Sequence, residues 1–274
     1  MFVKSTETVT AVYENAEQYF SGEPTVRTTV SSSVSEASGT VTLNYADVSR
    51  AVSGYASAVL NGSTVGGIIT AGKTVSSNGV ETVSAKGTLT LKNSTIDGAE
   101  NFLAVTVNAG SSVNGAVSAA DTAKSVFTLN GGATLNGSVT GFRTNTLNKG
   151  SLLNGAVIAL NGTVTVGAGA ANTDAAEIRA KTLILVKNAA YTGTLTMTDH
   201  MDHTITLNAG STLSAAGSIL FGNGRDTLKI ASGARLELGA GEMLAMQEGD
   251  SVVLSGGEII LYGGGSGIEA EAGA

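Results

Sequence analysis

The chain has no cysteine and no tryptophan among its 274 residues, a single proline, and only 4% aromatic residues. Absence of cysteine excludes disulfides, thiol catalysis and cysteine-held metal centres, and is compatible with an oxidising compartment. Scarcity of aromatics argues against a groove of the kind that commonly lines sugar-cleaving sites. Positive charge is scarce too: 15 Lys and Arg face 22 Asp and Glu, for a net charge of −7 and no basic cluster. That balance speaks against a nucleic-acid partner. No apolar run reaches the roughly 18 residues that a membrane-spanning helix needs, and no hairpins with aromatic girdles mark an outer-membrane barrel.

What is present is glycine, at 37 residues, and 42% hydrophobic residues, which is too apolar for a disordered chain of this charge. These residues recur in a twelve-residue phrase. It reads TVNAGSSVNGAV from Thr106, TLNGGATLNGSV from Thr128, TLNKGSLLNGAV from Thr146 and TLNAGSTLSAAG from Thr206, with looser copies from Lys229 and Val253. Its glycines align at Gly110, Gly132, Gly150, Gly210, Gly233 and Gly257, and Gly169 and Asn188 fill the gap between the third and fourth. A period near 18–24 residues marks a solenoid.

Apolar pairs separated by one residue open each phrase: Val105 and Val107, Phe127 and Leu129, Ile205 and Leu207, Leu228 and Ile230, Val252 and Leu254. Such spacing puts both side chains on one face of a short strand. Asn145 before Leu147 is the exception. The Asn-x-Gly that follows is corner chemistry, because glycine, and less readily asparagine, takes positive φ. One coil cannot bury its own stripe, whereas stacked coils share a core. The expected fold is all-β: a single-stranded parallel β-helix of about nine or ten coils, each roughly 4.8 Å from the next.

The organisation read from this rhythm is a lead-in or cap over 1–58, the helix over 59–262 and a flexible tail over 263–274. Ahead of Pro24, residues 10–20 fit either one helical face or a strand pair, with Tyr13, Tyr19 and Phe20 available to cover a first coil. The opening MFVKSTETVTAVYENAEQYF has no apolar core of a signal peptide. A fragment, a leaderless export route and an intracellular protein all remain open.

Over Val75 to Ile96, VSSNGVETVSAKGTLTLKNSTI, the V-x-x-x-G-x-x-x-V-x-x-x-G spacing puts Val75, Val83, Leu89 and Ile96 inward. This stretch, with the TLNxGxxLNGxV coils, resembles the repeats of bacterial autotransporter passenger domains, nearest to the self-associating and diffuse-adherence adhesins. The resemblance covers roughly 60–262. It implies a rod-like protein outside the cell or on its surface, with biofilm-type adhesion to itself or to host glycans or proteins. The export signal and translocation barrel of that family do not occur in this chain.

Candidate chemistry is thin. Asp199-His200-Met201-Asp202-His203 holds both histidines, yet His200 and His203 point to opposite faces of an extended segment. FGNGRDTLK, from Phe221, is similar to one calcium-binding toxin-type nonapeptide, matching at Gly222, Gly224, Asp226 and Leu228. Asp226 and Asp250 lie 24 residues apart in one register, so they either repel, as ordinary turn aspartates, or share one calcium ion. Apart from that ion, no cofactor is expected. Asp174 and Glu177 with Arg179 are the nearest approach to a catalytic set, in a stretch that reads as a solvated loop. No Ser-His-Asp set or phosphate loop is present. Asn108, Asn130, Asn148 and Asn208 share one position and are expected to form a structural amide ladder. Three functions follow: a non-catalytic adhesive solenoid, a polysaccharide lyase or hydrolase on the same fold, and an inert stalk.

Overall fold

The computed structural model describes residues 2–3, 18–21, 28–30, 34–35, 39–75, 81–83 and 87–274. Two compact units divide at Phe142 and Arg143. Each is an all-β parallel β-helix, and the described residues contain no helix. Each coil contributes up to three short strands, one to each of three faces.

In the first unit the first face stacks Gln18–Ser21, Thr40–Asn44, Ser57–Asn61, Thr88–Lys92, Ala104–Val107 and Val126–Leu129, all parallel. In the second unit, taken by itself, a first face stacks Thr144–Leu147, residues 163–166, residues 182–185, Thr204–Leu207, Thr227–Ala231 and Ser251–Ser255. Ten of these twelve strands, from Ser57–Asn61 to Ser251–Ser255, match the nine or ten coils expected; the two others, Gln18–Ser21 and Thr40–Asn44, lie before residue 59.

Period-2 patterning decides which side chains go inside. Val105, Val107, Phe127, Leu129, Ile205, Leu207, Leu228 and Ile230 are all at most 1% exposed. Asn145 is buried as well, in register with Val164, and its amide donates to the Thr163 carbonyl at 3.3 Å. Val252 and Leu254 keep the inward register but are half-buried and exposed, because no described strand stacks beyond them. Phe127 and Phe142 meet edge to face at 5.8 Å in the core of the first unit.

The corner after the first face is left-handed. In the first unit φ is positive at Tyr45, Gly62, Asn93, Gly110 and Gly132, and in the second at Gly150, Gly169, Asn188, Gly210, Gly233 and Gly256. Gly169 and Asn188 take the two inferred places. The last corner is Gly256, one residue before the aligned Gly257, whose φ is not positive.

Directly inside this corner runs a column of small residues: Ser63, Ser94, Ser111 and Ala133 in the first unit, and Ser151, Ala189, Ser211 and Ala234 in the second. A corner interrupts the strand ladder, so its N–H groups need other acceptors. In the first unit serine supplies them: Ser63 Oγ accepts from the Ala46 N–H, Ser94 Oγ from the Ser63 N–H, and Ser111 Oγ from the Ser94 N–H, at 3.0–3.1 Å.

Three boundaries differ from the sequence reading. Parallel stacking is present over 40–58, so the helix begins before residue 59. Lys73–Val75 and Glu81–Val83 form an antiparallel hairpin inserted between two stacked coils, so Val75 and Val83 belong to a loop-out. Leu89 and Ile96 are buried as expected. Residues 263–274 contain Gly267–Ala270, which pairs in register with Met243–Met246 and is therefore part of a coil. The assignment for 10–17 and the side chains of Tyr13, Tyr19 and Phe20 lie outside what is described; the backbone of 18–21 is a strand.

The serine column gives a two-sided prediction. Ser94→Ala strands the Ser63 N–H in the core and is expected to cost about 1–3 kcal/mol. Ser211 Oγ is buried without a hydrogen-bond partner, and Ala234 fills the same register one coil on, so Ser211→Ala is expected to be neutral or stabilising. Urea unfolding of both variants measures the contrast.

Candidate functional site

Outward positions of the first face carry hydroxyls. In the second unit, Thr144, Thr163, Thr182, Thr204, Thr227 and Ser251 stand in unbroken register, one per coil. Two residues along lies a second row of Thr146, Thr165, Ile184, Thr206, Lys229 and Val253. Threonine suits this place because its β-branch fits the pleat while its hydroxyl reaches water. At the end of this row Ser251 Oγ donates to Thr227 Oγ1 at 3.3 Å. In the first unit the equivalent row begins Thr40, Ser57, Thr88 and then passes to Ala104 and Val126. A second face of that unit carries Thr64, Thr95, Ser112 and Thr134 in register.

The asparagines ladder only in part. Asn130 Nδ2 donates to Asn108 Oδ1 at 2.8 Å, and Asn108 Nδ2 donates to the Leu91 carbonyl. Asn208 Nδ2 likewise reaches the Leu185 carbonyl at 2.9 Å. Asn148 occupies the same position in the phrase, but the corners at Gly169 and Asn188 place Gly167 and Val186 there, so no amide spans the interval to Asn208. A further rung, which the phrase also encodes, joins Asn136 Nδ2 to Asn114 Oδ1 at 2.9 Å.

The densest polar arrangement is a buried column just before the first face of the second unit. His203, Asp226 and Asp250 stack one per coil, at 2%, 0% and 4% exposure. Each aspartate caps the backbone of the preceding coil: Asp226 Oδ1 accepts the His203 N–H at 2.6 Å, and Asp250 Oδ1 accepts the Asp226 N–H at 2.7 Å. Asp226 Oδ2 takes the Gly222 N–H and Asp250 Oδ2 the Gln247 N–H. The His203 ring lies between two carboxylates, with Nδ1 3.0 Å from Asp226 and Nε2 3.2 Å from Asp199.

The expected register of Asp226 and Asp250 therefore holds, but the residues do not fit a calcium ion. Calcium takes six to eight oxygens, and here all four carboxylate oxygens are engaged by N–H donors. Among the described residues no group of three or more His, Asp or Glu side chains is arranged to hold a metal ion. The toxin-like glycines serve packing instead: a Cβ on Gly222 or Gly224 would enter the backbone of Asp199 or Met201 in the coil beneath. His200 is exposed and faces Asn223, so the two histidines share no site.

Among the described residues the catalytic candidates do not come together. Glu177 pairs with Arg179 at 2.6 Å and accepts from Thr196, while Asp174 is exposed on the preceding turn and does not join them. Tyr191, fully buried, donates to the Ala176 and Thr194 carbonyls; burial, and then the charge of Glu177, push its phenol above the usual range.

No family model matches the chain, and no curated protein matches it. Among solved structures it is similar to the crystal structure of the TibC-catalyzed hyper-glycosylated TibA55-350 fragment, at 18% identity and a TM-score of 0.26, over 94% of this chain and all of that one. The fold assignment rests on the strand pairing itself. No helix among the described residues is long and apolar enough to cross a membrane.

Burial raises the Asp226 carboxyl above its ordinary value, against opposing contributions from His203. A raised folded-state value means that the proton favours the folded chain: this contribution is full below about pH 4 and is lost as pH rises through the raised value. Comparing urea midpoints of wild type and Asp226→Asn, the wild-type advantage is expected to shrink from about pH 4 towards neutrality. An advantage that grows over that range would contradict the assignment.

Proposed function

We propose that this protein is a non-catalytic adhesive β-solenoid, working outside the cell or on its surface, that associates with itself through its outward hydroxyl rows. The observation that carries the reading is the row Thr144, Thr163, Thr182, Thr204, Thr227 and Ser251, which repeats one hydroxyl per coil without interruption. Registered strands space such hydroxyls by roughly 4.8 Å. A second copy laid alongside meets the same spacing, so each weak hydrogen bond recurs along the whole face. The geometry is one of many equal contacts, with no single anchoring pocket. Scattered carboxylates and few aromatics support the absence of catalysis, since sugar cleavage needs two acids set across one bond.

Display on a bacterium that does not clump, scored by settling, tests the reading. Wild type is expected to settle the cells, and the triple variant Thr163→Lys, Thr182→Lys, Thr204→Lys to abolish settling with its β-type circular dichroism unchanged. Like charges aligned at coil spacing repel both along and across the face. Settling by the triple variant equal to wild type would remove the hydroxyl row from the mechanism.

A further inference from the structure

Three successive coils of the second unit carry basic residues at both borders of the first face. Arg143 and Lys181 stand directly before the first hydroxyl row, with Gly162 between them, because Thr144, Thr163 and Thr182 pair in turn. Lys149 and Lys187 stand directly before the corner residues Gly150 and Asn188, with Ala168 before Gly169 on the coil between. Registered strands put the two members of each border roughly 10 Å apart along the stack. All four side chains are exposed. The Lys149 stem lies over Gly169 of the next coil, where a Cβ would come within 3.3 Å of its Cγ, so the corner glycine seats the aliphatic stem and leaves the ammonium to solvent. Arg143 donates to the Asn161 carbonyl, and none of the four joins an ion pair among the described residues. No Asp or Glu occurs between Asp121 and Asp174, and none occupies the first face over these three coils. The four cations are scattered in the sequence, and only stacking gathers them round one face.

A chain of net charge −7 that leaves four cations without ion-pair partners around one face concentrates positive potential there. Between the two borders lie the threonine hydroxyls of both rows, with Ile184 the one apolar member. We propose that this face binds a linear sulfated polysaccharide laid along the coil stack, with its sulfates against Arg143, Lys149, Lys181 and Lys187 and its hydroxyls against the threonine rows. Guanidinium and ammonium groups make charge-assisted hydrogen bonds to anionic oxygens of this kind. Anchors repeated on every second coil suit a polymer with repeated anionic groups better than one small anion held in a pocket. Nucleic acid is a polyanion too, but the face offers no aromatic ring on which a base could stack. The site goes beyond the self-association reading, which rests on the hydroxyls, whereas this one rests on the cations that border them.

Heparin titrated into the full chain at physiological salt is expected to bind saturably, and Lys181→Gln with Lys187→Gln to weaken it about tenfold. Both side chains are exposed, so circular dichroism is expected to stay native. Arg225→Gln with Arg235→Gln removes the same charge outside these three coils and is expected to bind as wild type does. The variant Thr163→Lys, Thr182→Lys, Thr204→Lys, expected to lose settling, adds cations within the face and is expected to bind heparin at least as tightly. The two readings therefore fail separately. Absence of saturable binding, or equal weakening by the two double variants, overturns the proposal. Equal binding of hyaluronate, which carries carboxylates and no sulfate, overturns the sulfate assignment. Tighter binding of a single-stranded DNA oligonucleotide than of heparin overturns the polysaccharide.

Discussion

Every coil in this protein depends on its neighbour, because a strand of four or five residues with two inward side chains cannot bury them by itself. Registered parallel stacking solves the problem for apolar side chains and backbone together. Leu228 and Ile230 reach near-zero exposure only because Ile205 and Leu207 lie on one side and Val252 and Leu254 on the other. The same residue types at Val252 and Leu254, with no described strand on their far side, are half-buried and exposed. Stability here is thus a sum over interfaces, and small local defects act on the two interfaces that meet at them.

Stacking imposes a second demand at the corners. Where the chain turns, strand pairing stops, and the polar backbone must be met by something else. The first unit answers with serine hydroxyls at Ser63, Ser94 and Ser111. The second answers, at a different corner, with the carboxylates of Asp226 and Asp250. Both are columns in register, and both convert a turn into a continued ladder. Chemistry that looks like a candidate ion site in one coil is, in the stack, a set of acceptors for buried N–H groups.

Much of this was legible in the residues. The i, i+2 apolar pairs marked the inward face, and the phrase glycines marked the left-handed corner, including Asn188 in place of glycine, except at Gly257, where the corner is Gly256. The Asp226–Asp250 register followed from their separation alone. Other features were hidden for physical reasons. The steps from Thr40 to Ser57 and from Thr88 to Ala104 carry no Asn-Gly corner, so these coils had no repeated mark. Val75 and Val83 match the inward spacing, yet two such strands with Asn78-Gly79 between them satisfy a hairpin equally well, and spacing cannot separate the two. Gly263 to Ala274 reads as a linker because glycine and alanine dominate it, although Ile268 and Ala270 keep the coil register. The serine column had a signal, a serine or alanine after the corner glycine in AGSS, KGSL and AGST, but only coil stacking gives that serine a task.

The central claim is the registered parallel stack, and the absence of native cysteine allows a clean test by cross-linking. In the structure Thr182 stands opposite Thr204 on adjacent strands, within the distance range that a disulfide spans. The pair Thr182→Cys with Thr204→Cys is therefore predicted to oxidise readily to an intramolecular disulfide. Thr182→Cys with Ile205→Cys, one residue out of register and pointing into the core, is predicted to remain reduced under the same conditions. Equal oxidation of both pairs, or oxidation of the shifted pair alone, would contradict the stack.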